Sequence, residues 1–170
     1  MAKKNGIVKI SGDLLHDKEV REAVRVRLRK IAEQYSLVII SGGGTDINKA
    51  FKERGFDIKF CPLGRVTDTL EQRQLARNIL EQNQAAEQDM LDEDEISARV
   101  VIPMREIGTV LCPENGDLMF LSAYLGFDKG FIFTKKERVE AKKSWLVKIA
   151  QAFEHIERGG ELEKIEVVGF

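Results

Sequence analysis

The stretch "LVIISGGGTDINKAF" (Leu37 to Phe51) constrains the fold of this chain more than any other. Its near-continuous apolar run fits a strand covered on both faces, as in a parallel sheet. Three glycines then turn the chain into a helix. Glycine admits positive φ and lets backbone approach backbone or ligand closely, at an entropic cost that a plain connector need not bear. A helix N-terminus presents unpaired N–H groups and the positive end of the helix dipole, so a strand–glycine–helix unit suits an anion. The run matches neither GxGxxG nor GxxxxGK[ST], and the usual nucleotide fingerprints therefore do not account for it.

The same alternation extends along the chain. "GIVKIS" (Gly6 to Ser11) reads as a strand, and residues 18–35 as a helix with Val20, Val24, Leu28 and Ile31 on one face. After the glycine helix, "FDIKFC" (Phe56 to Cys61) reads as a third strand. Residues 67–91 read as a long helix with Asp68 or Thr67 as N-cap. "SARVVIP" and "GTVLC" read as strands, "ENGDLMFLSAYLG" as a helix with Leu118, Leu121 and Leu125 on a face, and "KGFIFT" (Lys129 to Thr134) as a strand. "KKERVEAKK" reads as a charged connector. A helix over 144–158 carries Leu146, Ile149, Phe153 and Ile156, stops at Gly159-Gly160, and gives way to a last strand, "KIEVVGF". Strands alternating with helices predict an α/β fold, a three-layer sandwich around a mostly parallel sheet, built as one domain over 1–170.

Charge bounds the partners. Lys and Arg number 27 against 28 Asp and Glu, which gives no overall pull towards nucleic acid or anionic lipid. The apolar runs are far short of a membrane span, and "MAKKNG" leads straight into a strand without a signal-peptide stretch. Cys61 and Cys112 are followed by proline near strand ends and read as buried structural thiols in a reducing, cytoplasmic setting. His16 and His155 lack ligand spacing, Trp145 reads as a packing anchor, and the acidic stretch Glu87 to Glu95 reads as a solvated, frayed helix end.

In such sheets ligands gather where strands exit at their carboxyl ends. Read in order, the exits are "VKISGDLL", "IISGGGTD" and "GRVTDTLEQRQLARNIL", followed by "ENGDLMFLSAYLGFDKGFIFT" and "LVKIAQAFEHIERGGELEKIEVVG". Together these resemble the amino acid kinase family, which includes acetylglutamate, uridylate and carbamate kinases. The opening is similar to that family's "VKIGGS", the second exit to its "GGG" turn, Arg65-Val66-Thr67-Asp68 to an "R-x-TD" segment, and Asn115-Gly116-Asp117 to an "N-x-D" segment. The resemblance implies an amino acid kinase-like (carbamate kinase-like) fold, condensed, with a reduced C-terminal nucleotide-binding part. It implies ATP and Mg²⁺ as cofactors, a small anionic acceptor as partner, and assembly as a homodimer or larger homo-oligomer.

Carried over residue by residue, the resemblance makes Lys9 a cation on the transferring phosphoryl group and Lys148 a second cation on the leaving side. Asp117 would organise the two lysines. Gly12 and the turn Gly42-Gly43-Gly44 would offer backbone N–H groups to phosphoryl group and acceptor. Arg65 would hold an acidic acceptor through its planar fork and Asn115 would contact it. Thr134 and Lys136 would stand at the nucleotide.

The chain also departs from the family. The "LTDVDGVY" loop that embraces the nucleotide is replaced by "TKKERVEAKK", so an ATP site would have to be rebuilt from Lys135, Lys136, Arg138, Lys142 and Lys143. Asp13 stands where a second glycine is usual, and its carboxylate beside a phosphate is unfavourable unless a cation intervenes. Plainer structural roles exist for each candidate: Asn115 and Asp117 as helix caps, Arg65 with Asp68 as a local ion pair, the glycines as a tight helix–strand contact, Lys148 as a solvated lysine. Two functions follow, beside a structural role in an assembly. One is a kinase-like enzyme that transfers the ATP γ-phosphoryl group to a carboxylate or phosphate of a small acceptor. The other is a non-catalytic small-anion or nucleotide-binding module of the same lineage.

Overall fold

In the computed structural model, which describes residues 3–61, 64–152 and 161–170, five parallel strands form the central sheet in the order β5-β2-β1-β8-β9. They are β1 (Lys4–Ile10), β2 (Tyr35–Ile40), β5 (Ala98–Val101), β8 (Lys129–Thr134) and β9 (Ile165–Gly169). In register, Val8 lies opposite Ile39 on one side and Phe131 on the other. The sheet is buried on both faces, as its apolar strands require. Val8, Ile10, Ile39, Phe131 and Phe133 pack on Val24, Leu28 and Ile31 of α1 (Lys18–Ala32) and on Leu91 of α3 (Leu70–Glu93). Ile7, Ile40 and Ile132 pack on Phe120, Leu121 and Tyr124 and on Leu146, which belongs to α5 (Val139–Ala152). The result is a three-layer α/β sandwich. A third apolar cluster, Ile47, Phe51, Ala76 and Leu80, joins α2 (Gly44–Glu53) to α3. No helix among the described residues is long and apolar enough to cross a membrane.

Capping explains the helix starts. Asp17 accepts from the backbone N–H groups of Glu19 and Val20 at the head of α1. At α3, Thr69 and Gln72 form a reciprocal capping box, so the cap falls one residue after Asp68. Asp68 pairs instead with Lys59 at 3.3 Å, and the Arg65–Asp68 ion pair is not formed.

Several elements depart from the sequence reading. The third strand is only β3 (Lys59–Cys61), and it pairs antiparallel with β4 (Gly64–Val66) outside the main sheet. All three of its residues are exposed, so it lacks the apolar faces of a central strand, and Cys61 is exposed rather than buried. A second ribbon joins β6 (Met104–Ile107) to β7 (Val110–Pro113) through a turn at Gly108. The stretch "KKERVEAKK" is not a connector: a single 3₁₀ turn at Lys136–Arg138 leads directly into α5, which begins at Val139. In α4 (Gly116–Ala123) and the turn after it, the buried stripe is Asp117, Phe120, Leu121 and Tyr124, while Leu125 is exposed. The acidic stretch Glu87 to Glu95 is solvated at Asp89, Asp92, Glu93 and Glu95, but not at Glu87 and Asp94. Glu87 is buried, and Asp94 receives Arg25 and Arg29 from α1, tying the tail of α3 to that helix. Phe153, His155, Ile156, Arg158, Gly159 and Gly160 lie outside the described residues.

Candidate functional site

At the carboxyl ends of β1 and β2 the two chain exits touch. A Cβ built on Gly12 would stand 2.6 Å from the carbonyl oxygen of Gly42, and one on Gly42 would stand 2.8 Å from the Gly12 nitrogen and 2.9 Å from the Ile10 oxygen. Those neighbours are backbone and cannot step aside, so both positions admit only glycine. None of Gly42, Gly43 and Gly44 has a positive φ. The glycine run is therefore a device of close approach rather than of left-handed backbone. Gly43 caps α2, and a Cβ at Gly44, the first residue of that helix, would meet nothing within 4 Å.

This contact opens into a cavity of about 510 Å³, lined by Lys9, Gly12, Gly42, Gly43, Gly44, Arg65 and Asn115 together with Ser11, Asp13, Arg138 and Lys142. Side chains of β1 alternate between faces. Lys9 therefore shares Ile7's face and meets α4, where Asp117 sits in the first turn. Asp117 Oδ1 is 3.3 Å from Lys9 Nζ, Asp117 Oδ2 accepts from Lys142, and Lys9 donates to Ser11 Oγ at 3.1 Å. Burial pushes the Lys9 ammonium below its ordinary pKa, with Asp117 opposing. Burial likewise disfavours the Asp117 carboxylate, but the charges of Lys9 and Lys142 outweigh it and hold the group below the usual carboxylate range. The floor of the cavity is thus a cation–anion–cation row.

Arg65 reaches the cavity from the β3–β4 ribbon. Gly64, at φ +142°, sits so close to the start of α4 that a Cβ would be 2.8 Å from the Asn115 nitrogen, which fixes the ribbon against that helix. The guanidinium lies over the rings of Phe51 and Phe60, 5.0 and 4.7 Å from their centroids, and donates to Asn48 Oδ1 at 2.7 Å. Its Nη1 finds no acceptor among the described residues, and burial lowers its pKa. Arg65 forms no ion pair with a carboxylate among the described residues. Asp13, at the rim, is met by Arg138 at 3.1 Å and Lys135 at 3.7 Å, which resolves its juxtaposition with an anion site.

Of the sequence candidates, Lys9, Gly12, Gly42, Gly43, Gly44, Arg65, Asn115 and Asp117 are brought together. Asn115 is also the N-cap of α4, its Oδ1 accepting from the Asp117 N–H. Lys148 is not brought in. It is exposed on α5 and absent from the cavity lining, because six residues after Lys142 carry it roughly 240° around the helix. Lys142 stands where Lys148 was expected. Thr134 is fully buried at the end of β8, and Lys136 is exposed with its N–H on the Phe170 carbonyl, so neither lines the cavity. Trp145 packs into the second core cluster as an anchor. No group of three or more His, Cys, Asp or Glu among the described residues could hold a metal ion.

Glu87, which the sequence places in a solvated acidic stretch, is buried beside the glycine turn. Its Oε1 accepts from Ser41 Oγ at 2.8 Å, directly before Gly42. Burial, opposed by that hydrogen bond, pushes its carboxyl up from 4.5 to about 7. A carboxyl with a raised folded pKa binds its proton more tightly folded than unfolded, so stability is full below 4.5 and falls as pH rises towards 7. Urea unfolding at about pH 5 and about pH 8 should show this loss, at most about 3 kcal/mol from a shift of that size. In Glu87→Gln the loss should disappear.

No protein-family model matches the chain, and no curated protein sequence matches it. Among solved structures, the Streptococcus mutans UA159 protein smu.665 is similar at 16% identity, with a TM-score of 0.54 over 76% of this chain and 71% of that one. At that identity the likeness is one of fold.

Proposed function

We propose that the protein is a compact phosphotransferase with an amino acid kinase-like fold, moving the ATP γ-phosphoryl group to a carboxylate or phosphate of a small acceptor. The observation that carries this reading is the row Lys9–Asp117–Lys142 under a cavity edged by glycine backbone. Phosphoryl transfer asks for positioning and neutralisation of charge more than for covalent chemistry. The acceptor oxygen forms its bond to the γ-phosphorus as the bond to the bridging oxygen of the leaving ADP breaks. Lys9 and Lys142 neutralise charge on the transferring group and the leaving oxygen, and Asp117 keeps the two ammonium groups apart and aimed. Backbone N–H groups at Gly12 and at the head of α2 receive phosphoryl oxygens. Arg65, with a donor to spare and no carboxylate of its own, takes the acid of the acceptor.

Four cations line the cavity, Lys9, Arg65, Arg138 and Lys142, against Asp117 beneath it and the carboxylates of Asp13 and Glu114, and Glu114 is already held by Arg105. That balance fits a polyphosphate. It offers no set of free carboxylates for Mg²⁺, which in this reading arrives on the nucleotide, and no step is assigned to it. Assembly into a homo-oligomer and a cytoplasmic setting belong to the same proposal.

A second reading, a binding module for small anions without turnover, is favoured by the segment after Thr134. There Lys135 and Arg138 are engaged with Asp13, and the chain passes straight into α5. Calorimetric titration of ATP–Mg²⁺ tests both. Saturable binding is expected, weakened roughly tenfold or more by Lys142→Ala and left within about twofold by Lys148→Ala. Binding without consumption of ATP in the presence of small carboxylic and phosphoric acceptors would select the second reading. No heat at millimolar ATP would end the first.

A further inference from the structure

A second cavity, of about 430 Å³, meets the first at Gly12 and Gly42, which line both. It lies among α1, α2 and α3, and Glu87 belongs to its wall. Glu87 is 6% exposed, and while Oε1 is engaged with Ser41, Oε2 is buried and has no hydrogen-bond partner among the described residues. A buried acceptor without a donor is costly to keep and unusual in a folded protein.

The charged groups around it indicate which donor fits. Arg25 is saturated by Asp94, with bonds of 2.7 and 2.5 Å. His16 lies 3.4 Å from Asp46, whose other oxygen accepts from Asn83 at 3.0 Å. Among the described residues that leaves Arg21 as the cation of the lining without a carboxylate partner, against the acids Asp46, Glu87 and Glu93. The excess is negative. A metal ion is disfavoured, because no three such ligands converge among the described residues. An organic cation bearing N–H donors meets both demands, satisfying Oε2 and balancing the charge.

We propose that this second cavity binds a small primary amine, its ammonium group donating to Glu87 with Asp46 and Glu93 supplying the surrounding negative charge. The site does not depend on the phosphotransfer reading. It adjoins the glycine contact through the Ser41–Glu87 hydrogen bond, so an occupant would be felt at the turn that edges the first cavity.

The test is calorimetric titration of the intact protein with butane-1,4-diamine at about pH 8, with tetramethylammonium, a cation without N–H donors, as control. Saturable binding of the diamine at millimolar concentration or below is expected, weakened roughly tenfold or more in Glu87→Gln and unchanged in Lys142→Ala. Glu87→Gln removes a charge that burial disfavours and should fold; Asp46→Asn serves as a second variant, with a smaller expected loss. Three results would each overturn the site: no saturable diamine binding, equal binding in wild type and Glu87→Gln, or tetramethylammonium binding as well as the diamine.

Discussion

Asp117→Ala should lower stability by about 3–5 kcal/mol, the usual consequence of removing one partner from a buried ion pair. The carboxylate lies between two ammonium groups, and its side chain and that of Lys9 are each 11% exposed. Without it, Lys9 is left in a low-dielectric site facing only Ser11 Oγ, with the like charge of Lys142 beside it. The cheapest response is for Lys9 to lose its proton, and the chain then folds around a neutral amine. Urea unfolding at neutral pH measures the loss. Asp117→Asn separates charge from hydrogen bonding, since an amide can still accept but cannot neutralise. The wild type should lose the same stabilisation in acid, because a depressed carboxyl pKa gives stability above the unfolded value that vanishes as pH falls through the folded one. A loss under about 1 kcal/mol in Asp117→Ala would mean that Lys9 is already neutral in the wild type, and the charge row would cease to be an argument for phosphate.

The row was half legible in the sequence. Lys9 and Asp117 stand in short motifs at strand and helix ends, where polar residues beside glycine draw attention. Lys142 lies among "EAKK", one lysine of several, and only the start of α5 at Val139 decides which of them points at Asp117. A helix begun five residues later, as the pattern around Leu146 suggested, turns a different face to the sheet. The apolar residues 146 and 149 mark the helix in the sequence, while the charged turn before them has the composition of a connector and yet belongs to the same helix.

Glu87 is the opposite case. Its signal is present in the sequence. Gln72, Ala76, Leu80, Glu87 and Leu91 are the buried positions of α3, all at helical spacing, and an acid on that stripe marks a buried carboxyl. Its neighbours at Asp92 to Glu95 made it look like part of a solvated acidic tail. In the ribbons β3–β4 and β6–β7, "FDIKFC" and "GTVLC" are legible as the strands β3 and β7, but β4, β6 and the antiparallel pairing are not. Strands of three and four residues carry too little periodicity to distinguish from loop, and their pairing is set by contacts such as that of Gly64 with the head of α4.

The glycine run can be divided by mutation into what the fold needs and what a ligand needs. Gly42→Ala places a methyl 2.8 Å from one backbone nitrogen and 2.9 Å from a backbone oxygen, inside a contact between the two central strand exits. Relief requires moving β1 against β2, so a loss of about 3 kcal/mol or more in urea unfolding is expected, at the upper end of overpacking effects. Anion binding should fall with it. Gly44→Ala meets nothing within 4 Å and stands in the first turn of α2 at an ordinary φ, where alanine is the better helix former. It should leave stability unchanged or raise it by up to about 1 kcal/mol. If the backbone at Gly44 is where phosphoryl oxygens come to rest, the added methyl should still weaken ATP or pyrophosphate binding, by roughly tenfold in calorimetry. A stable Gly44→Ala protein with undiminished affinity would remove the third glycine from the anion site and leave the run explained by the Gly12–Gly42 contact, with the cations of the cavity floor as the remaining support for phosphate.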